Sequence, residues 1–495
     1  MENSEELLNF HFDNSFAHKL EDFFVSCKSD PAISPKLLKF NHALAKELGL
    51  NPDLLNTEEG LAIFSGNKLP IGSEPLAQAY SGHQFGGFSP LLGDGRALLL
   101  GEVIDIRHDR KDIQLKGSGR TPFSRGGDGK SALGPVLREY LMSEAMQTLG
   151  VPTTRALAAV STGEDVLRDT QLPGGILTRV ASSHIRIGTF QFATTLGDRN
   201  KMRDLADYAI ARHYPRSAEE RNPYLSFFEE VKKAQSFLVA RWMSVGFIHG
   251  VMNTDNMSIS GETIDYGPCA FMDAYAEGTV FSSIDTQGRY AYANQPAILS
   301  WNLSRLAESL IPLVDENQDK AVELLTQSIE DIPSTYEVFW LKEMRAKVGI
   351  TKENHGDVLL INELLSIMEK DKADFTLSFR SLSEALQGND DAFLNLFNDL
   401  ELPKNWLLRW KRCLEKQGQL NRITAKKMNT INPIYIPRNH KVEEALSASV
   451  HNQDMQPFED LLDVLEKPYE ESPGKEIFSK GAPFSKTTYK TYCGT

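Results

Sequence analysis

The sequence predicts an α+β chain of two lobes: a β-rich N-terminal lobe, then a large, mostly helical C-terminal lobe and a polar C-terminal tail. Three observations carry that expectation. Between residues 79 and 195, glycines punctuate apolar runs of strand length. From Asn200 onward, long stretches repeat apolar residues at helical spacing. Within the second lobe, residues 248–271 read IHGVMNTDNMSISGETIDYGPCAF, with Asp, Asn and Gly concentrated between the apolar runs. The expected divisions are 1–195, 196–466 and a flexible tail, 467–495.

In chain order, residues 1–60 carry helical patterns. Leu37, Leu38, Phe40, Leu44 and Leu48 predict a helix over Pro35 to Leu48, closed by Gly49. Ala97 to Ile106 reads as a buried strand after a tight turn at Gly93-Asp94-Gly95-Arg96. Glycines there let the backbone approach a ligand, and Arg96 can pair with phosphate, although a turn that binds nothing explains the same residues. In the next strand Ile113 and Leu115 alternate with Gln114 and Lys116, which points Lys116 away from the apolar face. The flexible segment Gly126-Gly127-Asp128-Gly129 follows, then a helix from Pro135 to Leu149. Glu139 on that helix is placed to pair with Lys116, with Glu144 as competitor. GDGKS lacks the first glycine of a Walker loop because Ser124 occupies its place, and Pro122 breaks a GxGxxG reading of GSGRTP.

Residues 153–195 read as three strands, RALAAVST, GGILTRVA and HIRIGTFQFA. Arg179 and Arg186 lie on the last two, where they either converge on a polyphosphate or stay solvated. Beyond them, helices are expected at Phe227 to Val245, Ile298 to Leu313, Ala321 to Ile329, Ser334 to Val348, Val358 to Met368, Asp374 to Leu386 and Asp391 to Phe397.

Residues 248–271 carry the chemistry. Asp255 and Asn256 are adjacent, and Asp265-Tyr266-Gly267 follows after a hairpin expected from Met257-Ser258-Ile259 and Thr263-Ile264. Asn256 and Asp265 can offer two oxygens to a hard cation such as Mg²⁺, which completes its shell with phosphate and water. Protein kinases hold metal on ATP this way, downstream of His-Arg-Asp. His249 is present, but Val251 stands where a kinase keeps its base, which leaves Asp255 as the nearby carboxylate. Turn and cap roles account for the same residues.

The formal net charge of −14 excludes a general nucleic-acid binder. Hydrophobic residues at 41% and charged residues at 24% are ordinary for a soluble globular protein. The acidic start, MENSEELLNFHFDNSF, has neither signal nor transit character, and no apolar run is long enough to span a bilayer. Cys27, Cys269, Cys413 and Cys493 form no CxxC pair, which suits a reducing, cytoplasmic setting.

Three blocks, GHQFGGFSPLLGDGRALLLGE, QLKGSGRTPFSRGGDGKSALGPVLREYLMSEAM and HGVMNTDNMSISGETIDYGPCAFMD, resemble the signature blocks of the selenoprotein O family. The resemblance runs from about Asn41 to Asn302. It implies a protein-kinase-like fold that binds ATP in a flipped orientation and transfers AMP to Ser, Thr or Tyr hydroxyls of proteins, itself included. Residue by residue, it implies nucleotide contacts from Gly93, Gly95, Arg96, Lys116, Asp128, Gly129, Arg179, Arg186 and Asp265. It places Mg²⁺ on Asn256 and Asp265 and makes Asp255 the general base, while Tyr266 replaces the kinase Phe. Some members carry selenocysteine third from the end, where this chain has Cys493. A tail cysteine there either forms a reversible disulfide with Cys269, four residues after Asp265, or stays an exposed free thiol. An inert ATP-binding scaffold, a phosphotransferase, UMP transfer from UTP and Mn²⁺ in place of Mg²⁺ stay open. No nucleic-acid or membrane partner is expected, and a monomer is the default.

Overall fold

A computed structural model of the chain describes residues 8–482 and 489–492. The framework of the site is set by β6 and β7, named below, where apolar and polar residues alternate as the pleat requires. Ile113 and Leu115 face a buried cluster with Leu98, Leu100, Val160 and Ile176, while Gln114 and Lys116 point to the opposite side. The expectation for Lys116 holds in direction, but the side chain enters a cleft instead of solvent.

The strands are β1 (Phe24–Ser26), β2 (Lys36–Phe40), β3 (Leu76–Gln78), β4 (Gly82–Gln84), β5 (Gly87–Ser89), β6 (Ala97–Ile104), β7 (Arg110–Lys116), β8 (Ser131–Ala132), β9 (Arg155–Leu167), β10 (Gln171–Ala181), β11 (Phe247–Ile248) and β12 (Ala270–Phe271). Seven of them form one antiparallel sheet in the order β1-β3-β6-β7-β10-β9-β2, with β8 added to β10. β4 and β5 make a separate hairpin, and β11 pairs with β12. The Leu133–Thr148 helix packs on β9 and β10. From Arg199 on, the described chain is mainly helical, including Pro223–Val245, Gln295–Val314 and Ile332–Lys347. The architecture is therefore α+β, with an antiparallel N-terminal sheet and a helical C-terminal region. No described helix is long and apolar enough to cross a membrane.

Three expectations need correction. Pro35 to Leu48 is not one helix: Lys36–Phe40 is strand β2, paired with β9, and only His42–Glu47 is helical. Asn41 makes the break, its side chain accepting from Leu44 N at 3.0 Å as an N-cap. HIRIGTFQFA is not a strand, since Ile187–Thr195 is a helix. Its buried Ile187, Phe190 and Ala193 repeat every three residues, and Phe190 packs 5.6 Å from Phe227. The 257–264 hairpin does not pair with itself. Ser258 instead bridges Arg186 and Thr263 bridges Thr153, because the neighbouring backbone offers those edges.

The polar stretch from 467, expected to be loosely attached, is anchored where it is described. Ser479 O accepts from Arg438, and Thr491 pairs with Ser282 and donates to Pro268 O at 2.6 Å. Cys493 lies outside the described residues.

Candidate active site

The register of β7 and β10 brings the first cations together. Arg179 pairs across from Gln114, so its side chain emerges on the face that carries Lys116. Lys116 Nζ lies 2.6 Å from Glu139 Oε2 and 2.5 Å from Asp265 Oδ1. Arg179 Nη1 lies 3.1 Å from Glu139 Oε1 and 2.7 Å from Asp265 Oδ1, and its guanidinium also donates to Gln114 Oε1. Glu139 is thus the partner of Lys116. Glu144 faces the other way, accepting from Arg155, Asn41 and the Ala156 amide.

Arg186 ends its extended segment at the start of the Ile187–Thr195 helix and is 2% exposed. Its guanidinium sits 4.2 Å from the centre of the Tyr80 ring, with Nη1 3.0 Å from Asp255 O and 3.7 Å from Asp265 Oδ2. Its Nη2 has no hydrogen-bond partner among the described residues, the Asp94 carboxylate standing 3.8 Å away. A buried, orphaned donor is costly and points to a ligand. Burial alone would raise the Asp265 carboxyl, but Lys116, Arg179 and Arg186 together hold it well below its usual range. Asp265 has φ 64°, a left-handed backbone that turns its carboxylate back toward these cations.

Asp255 and Asn256 lie on a one-turn 3₁₀ helix, Thr254–Asn256. Burial raises the Asp255 carboxyl to about 6, and Asp255 is 7% exposed. Its Oδ1 has no hydrogen-bond partner among the described residues. Asn256 spends its amide nitrogen on Val251 O at 2.9 Å, which leaves its oxygen free to accept. Among the described residues no hydrogen bond reaches Asp265 Oδ2, the Arg186 guanidinium standing 3.7 Å away. No group of three or more His, Cys, Asp or Glu with metal-holding geometry occurs among the described residues. Two free oxygens suit a hard cation that takes its other ligands from phosphate and water.

Lys116, Glu139, Arg179, Arg186, Asp255, Asn256 and Asp265 line one cleft of about 880 Å³, together with Gly93, Gly95, Arg96, Asp128, Gly129 and Val251. That volume admits a nucleotide. The glycines are also required by the chain itself. A Cβ on Gly93 would meet the Phe123 ring at 2.3 Å, and one on Gly129 would meet Gly119 O at 2.0 Å. Asp128 is held by Arg168 through contacts of 2.8 and 3.1 Å, which draw its carboxyl below the usual range.

The structure also shows groups that sequence reasoning missed. Tyr80, Gln84, Asp94 and Arg168 line the cleft. Gln84 and Asp94 lie in the Gly-rich block that carries the resemblance, whereas nothing local marks Arg168 at the end of its strand. His249 is a core residue, its Nε2 2.9 Å from Ile264 O. Cys269 is buried outside the cleft lining, and burial pushes its thiol up to about 11.

A strand lysine paired to a helix glutamate, two further carboxylates beside it and a wall of buried cations suit a nucleotide-dependent transferase. The model of the family "Protein adenylyltransferase SelO" matches residues 6–466. The chain is 57% identical over 490 residues to "Protein nucleotidyltransferase YdiU" of Cereibacter sphaeroides, covering 99% of this chain and all of that one. It is 54% identical to the protein of the same name from Rhizobium etli (98% and 97% covered) and 53% identical to that from Geobacillus kaustophilus (98% and 99% covered). The chain belongs to the SelO family of protein adenylyltransferases and is a nucleotidyltransferase.

Proposed function

We propose that the cleft binds ATP with its phosphates reversed relative to a protein kinase, and that AMP passes to a Ser, Thr or Tyr hydroxyl of a protein. Copies of the chain itself are among the acceptors. The observation that carries this reading is Asp255 Oδ1: a buried, unpartnered carboxylate oxygen beside the Lys116-Arg179-Arg186 cluster, in a site where position 251 is valine. In the proposed step Asp255 takes the hydroxyl proton and the hydroxyl oxygen attacks the α-phosphorus. The bond to the β-phosphate breaks, and pyrophosphate leaves against Lys116, Arg179 and Arg186. Arg96, Asp128 and the backbone of Gly93, Gly95 and Gly129 complete the nucleotide wall.

Asn256 and Asp265 would hold Mg²⁺, with Mn²⁺ chemically equivalent there; the cation supplies charge neutralisation on the phosphate oxygens. The Lys116–Glu139 pair and the loop order support a protein-kinase-like bilobal fold. Lobes at 1–195 and 196–466 fit the large sheet, all of whose strands end before residue 182. A redox pairing of Cys269 with Cys493 belongs to the same proposal, since Thr491 donates to the residue before Cys269. An oxidation response abolished by Cys493→Ser supports that pairing; an unchanged response removes it.

The test of the base is Asp255→Ala, assayed for ATP binding by calorimetry and for transfer with labelled ATP. Binding without transfer supports the assignment, and normal turnover overturns it.

A further inference from the structure

The β4–β5 hairpin lies over the 253–256 turn and grips it at three successive residues. His83 N donates to Thr254 Oγ1 at 2.8 Å, Phe85 N donates to Asn253 Oδ1 at 3.0 Å, and between them Gln84 Nε2 donates to Asp255 Oδ2 at 3.2 Å. The grip is braced from both sides. Gln191, on the Ile187–Thr195 helix, accepts from Thr254 Oγ1 at 2.6 Å and reaches His83 Nδ1 at 2.7 Å. Tyr290 donates to Asn253 Oδ1 at 2.6 Å and packs its ring 5.2 Å from Phe85.

The hairpin also shapes the space around the carboxylate. A Cβ on Gly82 would stand 2.5 Å from Asp255 Oδ1 and 2.8 Å from Leu92 Cδ1. Only glycine leaves Oδ1 where it is. The two carboxylate oxygens are therefore unequal: Oδ2 is tied to the Gln84 amide, and Oδ1 is buried and unpaired.

We propose that Gln84 is a positioning residue for the transfer step, its amide fixing Asp255 Oδ2 and so holding the carboxylate in one rotamer, with Oδ1 seated against Gly82. This rests on Asp255 as the base. A carboxylate freed from that tether rotates about its Cβ–Cγ bond, and a misplaced catalytic group costs up to about 10²-fold. Gln84 bonds to Asp255 and not to Lys116, Arg179 or Arg186, the proposed phosphate contacts, so the loss is expected in kcat and not in the affinity for ATP.

The experiment compares Gln84→Leu, Asp255→Ala and the double variant in transfer from α-labelled ATP, with ATP affinity measured separately. Gln84→Leu is expected to lower kcat by roughly 10- to 100-fold with KM for ATP within about twofold. In the Asp255→Ala background it should change nothing further. Gly82→Ala is the independent check: it should lose transfer and keep ATP binding. An unchanged kcat in Gln84→Leu overturns the proposal. So does a rise in KM for ATP alone, or a loss that multiplies with that of Asp255→Ala, since each places Gln84 in another role. Normal turnover by Asp255→Ala alone is a different outcome, which removes the base itself.

Discussion

Arg179 and Lys116 touch the same two carboxylates, yet the structure gives them different work, and replacing each by Met separates the two. Arg179 is 2% exposed and donates to Gln114, Glu139 and Asp265. Met fills most of its stem but leaves Gln114 Oε1 without that donor and removes a buried cation from both acids. Breaking a buried ion pair from one side costs about 3–5 kcal/mol. Lys116 is less buried, its side chain 12% exposed, and in its absence both Glu139 and Asp265 keep Arg179. Its fold cost should stay near 1 kcal/mol, in the range of a single replaceable hydrogen bond (~1 kcal/mol). For a chain of this length, scaling from smaller domains gives roughly 1–2 °C of Tm per kcal/mol. Scanning calorimetry is thus expected to show Arg179→Met down by about 3–10 °C and Lys116→Met by no more than about 2 °C. Isothermal titration should show Lys116→Met with weakened ATP binding despite its intact fold. Equal losses of Tm, or a Lys116→Met variant that melts first, would refute the account of this cluster.

Three further outcomes follow from the same geometry. Asp255→Ala should lose transfer by about 10²- to 10⁴-fold with ATP affinity retained, as read in paired binding and labelling assays. Gly93→Ala combines a left-handed φ of 68° with a Cβ 2.3 Å from Phe123, so its Tm and ATP affinity should both fall; an unaltered variant would show that the Phe123 contact yields freely. Stability should also fall as pH drops from about 6.5 to 4. Burial holds His184 down to about 4, and although burial opposes it, Arg212 and His184 keep the buried Asp112 carboxyl below its usual range. The fold therefore favours neutral imidazole: His184 contributes fully above its unfolded pKa and loses that contribution toward its folded one, while Asp112 adds loss in the same direction at still lower pH. Tm measured against pH should flatten in this window for His184→Gln, and an identical slope in both proteins would remove His184 as the cause.

Much of the site was legible because strand alternation and cross-strand register depend on local sequence. Alternation put Lys116 and Gln114 on one face, and Arg179 joins them by pairing opposite Gln114. The choice between Glu139 and Glu144 was not local: both are buried on one helix, and only the positions of β7 and β9 show which faces Lys116. The Pro35 to Leu48 pattern misled because Leu37 and Phe40 satisfy helical spacing while the backbone of β2 is taken by β9. Tertiary pairing overrode a periodicity that five apolar residues cannot make unique. Ile187–Thr195 failed for the converse reason, an apparent alternation whose buried members repeat at helical spacing. Gly93 and Gly129 were legible as special positions, but their neighbours Phe123 and Gly119 become visible only when the loops fold together. Gln84 was unreadable until the hairpin brought it from 171 positions away to Asp255.

The central claim is that AMP, not phosphate, leaves this cleft for a protein hydroxyl. Purified protein incubated with Mg²⁺ and ATP labelled on either the α- or the γ-phosphate, with self-modification read on a gel, tests it most directly. Label appearing from the α-phosphate alone is the predicted result. Label from the γ-phosphate would contradict the reversed nucleotide and return the site to kinase chemistry.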